Sequence, residues 1–104
     1  MPLTNATWWS LTDGLVASDK EQGGVYELCD AEGEVIYVGS SDNLRRRLGE
    51  HVNEYLNDCI KKNATRYRLE YMSNYQAGEK QLCDEHVRIH GKPPRCNHSA
   101  PTEL

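Results

Sequence analysis

Two short apolar runs, residues 24–30 (GVYELCD) and 34–39 (EVIYVG), flank a turn signal, Asp30-Ala31-Glu32-Gly33. Each run is rich in Val, Ile and Tyr, which favour strands, and Gly33 suits a positive φ. A segment so written folds as a β-hairpin. It places a tyrosine in each strand, in Gly24-Val25-Tyr26 and in Tyr37-Val38-Gly39. A simple two-residue turn puts Tyr26 opposite Tyr37 on one face. A glycine bulge at Gly33 shifts the pairing by one and breaks that match. The sequence leaves the register open.

The remaining chain supplies what a lone hairpin lacks, a partner for its apolar face. Leu44, Leu48, Val52 and Leu56 recur every four residues, so residues 42–57 are expected as a helix capped by Ser41 or Asp42. Arg47 and His51 lie on the adjacent stripe, at the rim of the buried face. Residues 65–72 (TRYRLEYM) alternate, with Tyr67, Leu69 and Tyr71 on one side, and give a third strand. Residues 75–90 form a second long helix ending near Gly91. Trp8, Trp9, Leu11, Leu15 and Val16 suggest a short helix in an N-terminal arm, capped by Thr12 or Asp13. The adjacent tryptophans read as core or edge packing. The order is arm, β, β, α, β, α: an α+β fold with a small three-stranded antiparallel sheet flanked by helices. Its parts are an arm over 1–22, one domain over 23–98 and a loose tail over 99–104.

At 104 residues the chain fits one domain, with 38% apolar and 27% charged residues. Nothing reaches the length of a transmembrane run, so no membrane partner is expected. The opening residues lack the pattern of a secretory leader, which favours the cytoplasm with all four cysteines reduced. A net charge of −4 argues against a protein that coats nucleic acid. The basic residues are clustered, however, at Arg45–Arg47, at Lys61, Lys62, Arg66 and Arg68, and from Arg88 to Arg95. Such patches bind phosphate locally. Cys83, His86, His90, Cys96 and His98 offer a rival zinc module, although their spacing matches no common finger and no CxxC pair is present.

The two tripeptides of the hairpin, with four further positions, resemble the GIY-YIG nuclease domain family over roughly residues 23–97. Arg47 follows Tyr37 by ten positions, as the family arginine does, and His51 stands one turn later. Glu79 lies in Ala77-Gly78-Glu79-Lys80-Gln81-Leu82, similar to the family's A-x-E-x-x-L. Asn97 follows the proline-rich turn Pro93-Pro94-Arg95-Cys96. Repair-type members often carry a lysine directly after the second motif, where this chain has Ser40.

The resemblance implies a phosphodiester hydrolase with one Mg²⁺ or Mn²⁺ held by Glu79, a hard oxygen ligand. Arg47 would relieve charge on the phosphate. Tyr26 or Tyr37 would take a proton from the attacking water, and which of them does so stays open. His51 would relay a proton or donate to phosphate. Gly39 would let the chain turn close to substrate, Ser40, Arg45 and Arg46 would contact it, and Asn97 would fix the tail beside it. The implied partner is nucleic acid, DNA in the first instance, with a partner protein to supply specificity. A rival reading is a catalytically weak or inactive domain of this fold that binds nucleic acid or protein. Oligomeric state is not readable.

Overall fold

The computed structural model describes residues 7–97. The elements are β1 (Trp9–Ser10), α1 (Asp13–Ala17), β2 (Gly24–Cys29), β3 (Val35–Ser41), α2 (Leu44–Val52), α3 (Asp58–Asn63), β4 (Arg66–Tyr71) and α4 (Tyr75–His90). The tail 99–104, His98 and the first six positions lie outside the described residues.

The sheet is antiparallel and has four strands rather than three, in the order β1-β4-β2-β3. The added strand comes from the arm: Trp9 and Ser10 pair with Tyr67 and Arg66, where a helix was expected to start. The arm's helix is only α1, capped by Thr12 as expected and burying Val16. Trp8 lies over the Arg68 guanidinium, 4.3 Å from ring centroid to Cζ, so the tryptophans serve the sheet margin.

The hairpin turn is built by Asp30. Its Oδ1 accepts from the N–H groups of Glu32 and Glu34 at 3.0 and 2.9 Å, while Gly33 takes φ +85°. The register is neither of the two foreseen. Tyr26 pairs with Gly39 and Leu28 with Tyr37, and an irregularity at Leu28/Cys29 makes Cys29 pair with Val35. The pairing is thus offset by two residues from a Tyr26–Tyr37 match. An offset of two is one pleat, so both tyrosines keep the same face and become diagonal neighbours.

Each face of the sheet has its own helices. Tyr26, Leu28, Ile36, Leu44, Leu48, Ile60 and Tyr67 form the larger core, with α2 and α3 covering it. Val25, Val38 and Leu82 form the smaller one, beneath α4. Burial of these side chains is the main stabilising term for such a fold.

The expected helix over 42–57 is shorter, Leu44–Val52, and a further helix, α3, follows it beyond residue 57. Asn43, not Ser41 or Asp42, caps α2, its Oδ1 accepting from Arg46 N at 3.0 Å. The helix stops at Val52, and Asn57 caps α3 by accepting from Ile60 N at 3.2 Å. Leu56, assigned to the apolar stripe by its spacing, sits in the intervening loop and is 75% exposed.

Cys59 on α3 is joined to Cys96 by a disulfide with Cα atoms 5.3 Å apart, which corrects the expectation of four reduced cysteines. Cys29 and Cys83 are free thiols. The bridge anchors the segment after Pro94 against the outer edge of β3. There Cys96 N donates to Ile36 O at 2.8 Å. Asn97 donates to and accepts from the Val38 backbone, both at 3.0 Å. An exposed strand edge is thereby covered.

Candidate active site

The cluster is centred on Tyr26, whose ring is wholly buried. Its position follows from the strand pairing. Gly39 stands opposite, and a Cβ there would lie 2.5 Å from both Cζ and Oη of Tyr26. Gly39 therefore makes room for the phenol. It lies inside β3 with no positive φ, so its role is close approach and not the tight turn that was expected.

Helix α2 carries the next two groups. The Tyr26 hydroxyl and His51 Nε2 are hydrogen-bonded at 2.7 Å. The ring centroids of Tyr26 and Tyr37 are 6.1 Å apart, and that of His51 is 5.4 Å from Tyr26 and 5.3 Å from Tyr37. His51 is itself buried, deeper than the rim position expected for it. Its Nδ1 is 2.8 Å from Glu54 Oε1. Arg47, half-buried one turn earlier, donates to Glu50 Oε1 at 2.9 Å, and its charge acts on both phenols.

The electrostatics follow from this packing. Burial and the neighbouring Tyr37 push the Tyr26 phenol well above its ordinary value, and Arg47 only partly opposes them. Burial, reinforced by Arg47, lowers the His51 imidazole, although Glu54 pulls it upward. The ring is therefore neutral near pH 7. Burial disfavours a Glu54 carboxylate, but hydrogen bonds from His51 and from Asn57 N outweigh it and hold the carboxyl below its usual range. Burial also opposes the Arg47 charge, and is outweighed by Tyr26 and Glu50, so the guanidinium stays protonated.

Glu79 approaches from the other face, on α4. Ser40 Oγ donates to its Oε1 at 2.5 Å, so the serine at the lysine position is the carboxylate's direct partner. Glu79 is close enough that its charge also raises the Tyr26 phenol. The end of β3 thus has Gly39 against Tyr26 on one face and Ser40 against Glu79 on the other.

Of the other residues named from sequence, Arg45 pairs with Glu21, while Arg46 bonds to Asp42 at 2.9 Å and Glu50 at 3.3 Å. Arg45 is half-buried towards α1, where it also donates to Ala17 O at 3.4 Å, and Arg46 is exposed. Asn97 spends both halves of its amide on Val38, at the outer edge of the sheet. The zinc alternative finds no support: among the described residues no three His, Cys, Asp or Glu side chains could hold a metal together, and Cys96 is in the disulfide. A hard cation that keeps several waters needs only one or two carboxylates with substrate oxygens, and Glu79 fits that demand.

Sequence reasoning missed Glu54. The signal was present, since an acid three residues after a histidine shares a helix face with it. It went unread because the family resemblance names no acid at that position, and Glu54 reaches His51 from the loop after α2.

A family model described as the GIY-YIG catalytic domain matches residues 22–87. No curated protein matches the chain. Among solved structures, the chain is similar to the GIY-YIG N-terminal endonuclease domain of UvrC from Thermotoga maritima. One such structure, a tyrosine-to-phenylalanine mutant bound to its catalytic divalent cation, is 20% identical with a TM-score of 0.59. That alignment covers 81% of this chain and 91% of the other. A second, an asparagine-to-alanine mutant also bound to its catalytic divalent cation, is 19% identical with a TM-score of 0.59, over 80% and 90% of the two chains. At that identity the likeness establishes the α+β fold. The family match spans more than half of the chain and takes in Tyr26, Tyr37, Arg47, His51 and Glu79, so this chain belongs to the GIY-YIG catalytic domain family.

Proposed function

We propose that the chain is a divalent-metal-dependent endonuclease that hydrolyses phosphodiester bonds, with branched, damaged or otherwise distorted DNA as its substrate. The observation that carries this reading is the grouping of two phenols, a neutral histidine, a half-buried arginine and a carboxylate around the end of β3.

Each group has a task suited to its surroundings. Tyr37 is partly exposed and borders the histidine, so it meets a water or a phosphate oxygen. Tyr26 has no exposed surface, so any water it deprotonates is one bound within the site rather than bulk solvent. Its proton passes to His51 Nε2, the acceptor already in contact. Arg47 supplies a fixed positive charge where the phosphorane-like transition state accumulates negative charge. Glu79, oriented by Ser40, would hold one Mg²⁺ or Mn²⁺. When bound, that ion acts as a Lewis acid and relieves charge on the leaving oxygen.

A second reading, a binding module of low activity, is favoured by one set of contacts. Arg45, Arg46 and Arg47 are each paired with a carboxylate of the same chain, which weakens their pull on phosphate. One experiment separates the two. Purified chain is incubated with flap, branched, nicked and plain duplex DNAs and with RNA, in Mg²⁺ or Mn²⁺. Cleavage of any of these supports the nuclease. Binding without cleavage under both ions supports the module.

A further inference from the structure

We propose that Glu54 is a positioning residue for this site, fixing the tautomer of His51 so that Nε2 is free to accept the proton of Tyr26. Its kinetic consequence rests on the nuclease reading above, whereas the tautomer itself does not.

Glu54 Oε1 lies 2.8 Å from His51 Nδ1, and its other oxygen accepts from Leu56 N at 3.1 Å and Asn57 N at 2.9 Å. An ionised carboxylate only accepts, so the ring nitrogen facing it carries the hydrogen. A neutral imidazole has one N–H, which leaves Nε2 bare. Nε2 is 2.7 Å from the Tyr26 hydroxyl, so the phenol donates. The opposite tautomer would set two acceptors against each other at Glu54. The carboxylate cannot readily turn away, because two backbone N–H groups hold it and its side chain is only 10% exposed.

The groups around His51 fit this role. Tyr26 faces it from β2 and Tyr37 from β3, while Arg47, Glu50 and Glu54 come from its own helix and the loop that follows. Arg47 resists an imidazolium, and Glu54 is the carboxylate in direct contact that supports one. The step balances. As the bound water gives a proton to the Tyr26 oxygen, the Tyr26 O–H bond breaks and an Nε2–H bond forms. The products are a hydroxide nucleophile, a neutral phenol and an imidazolium held by Glu54.

Glu54→Gln separates positioning from folding. Glutamine keeps the length but has one acceptor oxygen. The two backbone N–H groups of Leu56 and Asn57 claim it, which turns the amide NH₂ towards Nδ1. Nδ1 must then accept, Nε2 carries the hydrogen, and that N–H donates to the Tyr26 oxygen instead of receiving its proton.

The measurement is the imidazole ¹⁵N spectrum of the whole chain, with the His51 signals assigned from their loss in His51→Gln. Wild type should show Nδ1–H and Glu54→Gln should show Nε2–H. Turnover on a cleaved DNA should fall about 10- to 100-fold in kcat with little change in KM, the usual effect of losing an orienting partner. Wild-type protein with hydrogen on Nε2 overturns the proposal, and it needs no variant that folds. A Glu54→Gln chain with full kcat also overturns it. A wild-type chain that cleaves nothing counts against the nuclease reading, while the spectrum still decides the tautomer.

Discussion

Gly39 stands opposite Tyr26 across the β2–β3 ladder, and the phenol occupies the space that a side chain at 39 would need. Gly39→Ala would place its Cβ 2.5 Å from Cζ and Oη of a wholly buried ring. Overpacking of this kind costs about 1–3 kcal/mol. The denaturation midpoint of Gly39→Ala should fall accordingly, and Tyr26 should lose its bond to His51. Gly49→Ala is the control, since only Val16 Cγ1 comes as near as 4.0 Å. It should be neutral or stabilise by up to about 1 kcal/mol through helix propensity. An unchanged midpoint for Gly39→Ala would contradict the register.

The three consecutive arginines should behave differently. Arg47 is the member whose charge acts on both phenols, so Arg47→Ala should lower the cleavage rate by about 100-fold or more, as for other lost electrostatic stabilisers. Arg45, turned towards Glu21 and α1, and Arg46, exposed, are each held in carboxylate pairs. Arg45→Ala and Arg46→Ala should change mainly DNA affinity and its salt dependence. Single-turnover rates at saturating DNA distinguish the cases, and equal losses from all three would reduce Arg47 to one charge in a patch.

How much of this was legible in sequence depended on whether local pattern or long-range contact decided the outcome. The hairpin, the strand containing Tyr67 and the helix ending at Gly91 were legible because period and turn chemistry agreed there. The β2–β3 register was not, because it turns on how Ile36 is accommodated at an irregularity near the turn. Strand β1 is two residues long and forms only through its pairing with β4, so nothing local announces it. The break after Val52 was masked by Leu56, whose spacing continued the stripe although its side chain is exposed. Glu54 and the Cys59–Cys96 bridge were lost with it, since both depend on where α2 stops and α3 begins. Tyr26, Tyr37, Arg47, His51 and Glu79 were found through the family resemblance. By pattern alone, the two phenols read as packing residues and Arg47 as one of a solvated run.

Acid should destabilise the protein in two stages. Burial and Arg47 lower the folded-state value of His51 below its unfolded value of about 6.5. Between those values the unfolded chain binds more protons, so stability falls as pH drops through that window. The contribution is complete above it. Glu54 adds a second loss at lower pH, because its paired carboxyl is also held below the ordinary range. Denaturation midpoints across pH 3–8 should plateau above about pH 7 and decline below it. His51→Gln should remove the upper part of the decline, and a decline unaltered by that change would assign it to other groups.

The disulfide should be a stability element in its own right. Cys59 and Cys96 are 37 residues apart and close a loop that spans β4 and α4. Losing a bridge over a loop of this size typically costs about 2–4 kcal/mol. Reduction with a thiol, or the double change Cys59→Ser with Cys96→Ser, should lower the denaturation midpoint and loosen Asn97 from Val38. Hydrogen exchange at Val38 N, which donates to Asn97 Oδ1, reports that loosening directly. Exchange at Val38 and a midpoint both insensitive to reduction would contradict this role.

We propose that the end of β3 is a nuclease site organised around one carboxylate, Glu79, oriented by Ser40. Its most direct measurement is DNA cleavage by wild type and by Glu79→Gln in Mg²⁺ or Mn²⁺, with and without EDTA, alongside circular dichroism to confirm folding. Wild type should cleave, EDTA should abolish that cleavage, and a folded Glu79→Gln chain should cleave nothing. Robust cleavage by Glu79→Gln, or by wild type in EDTA, would contradict it.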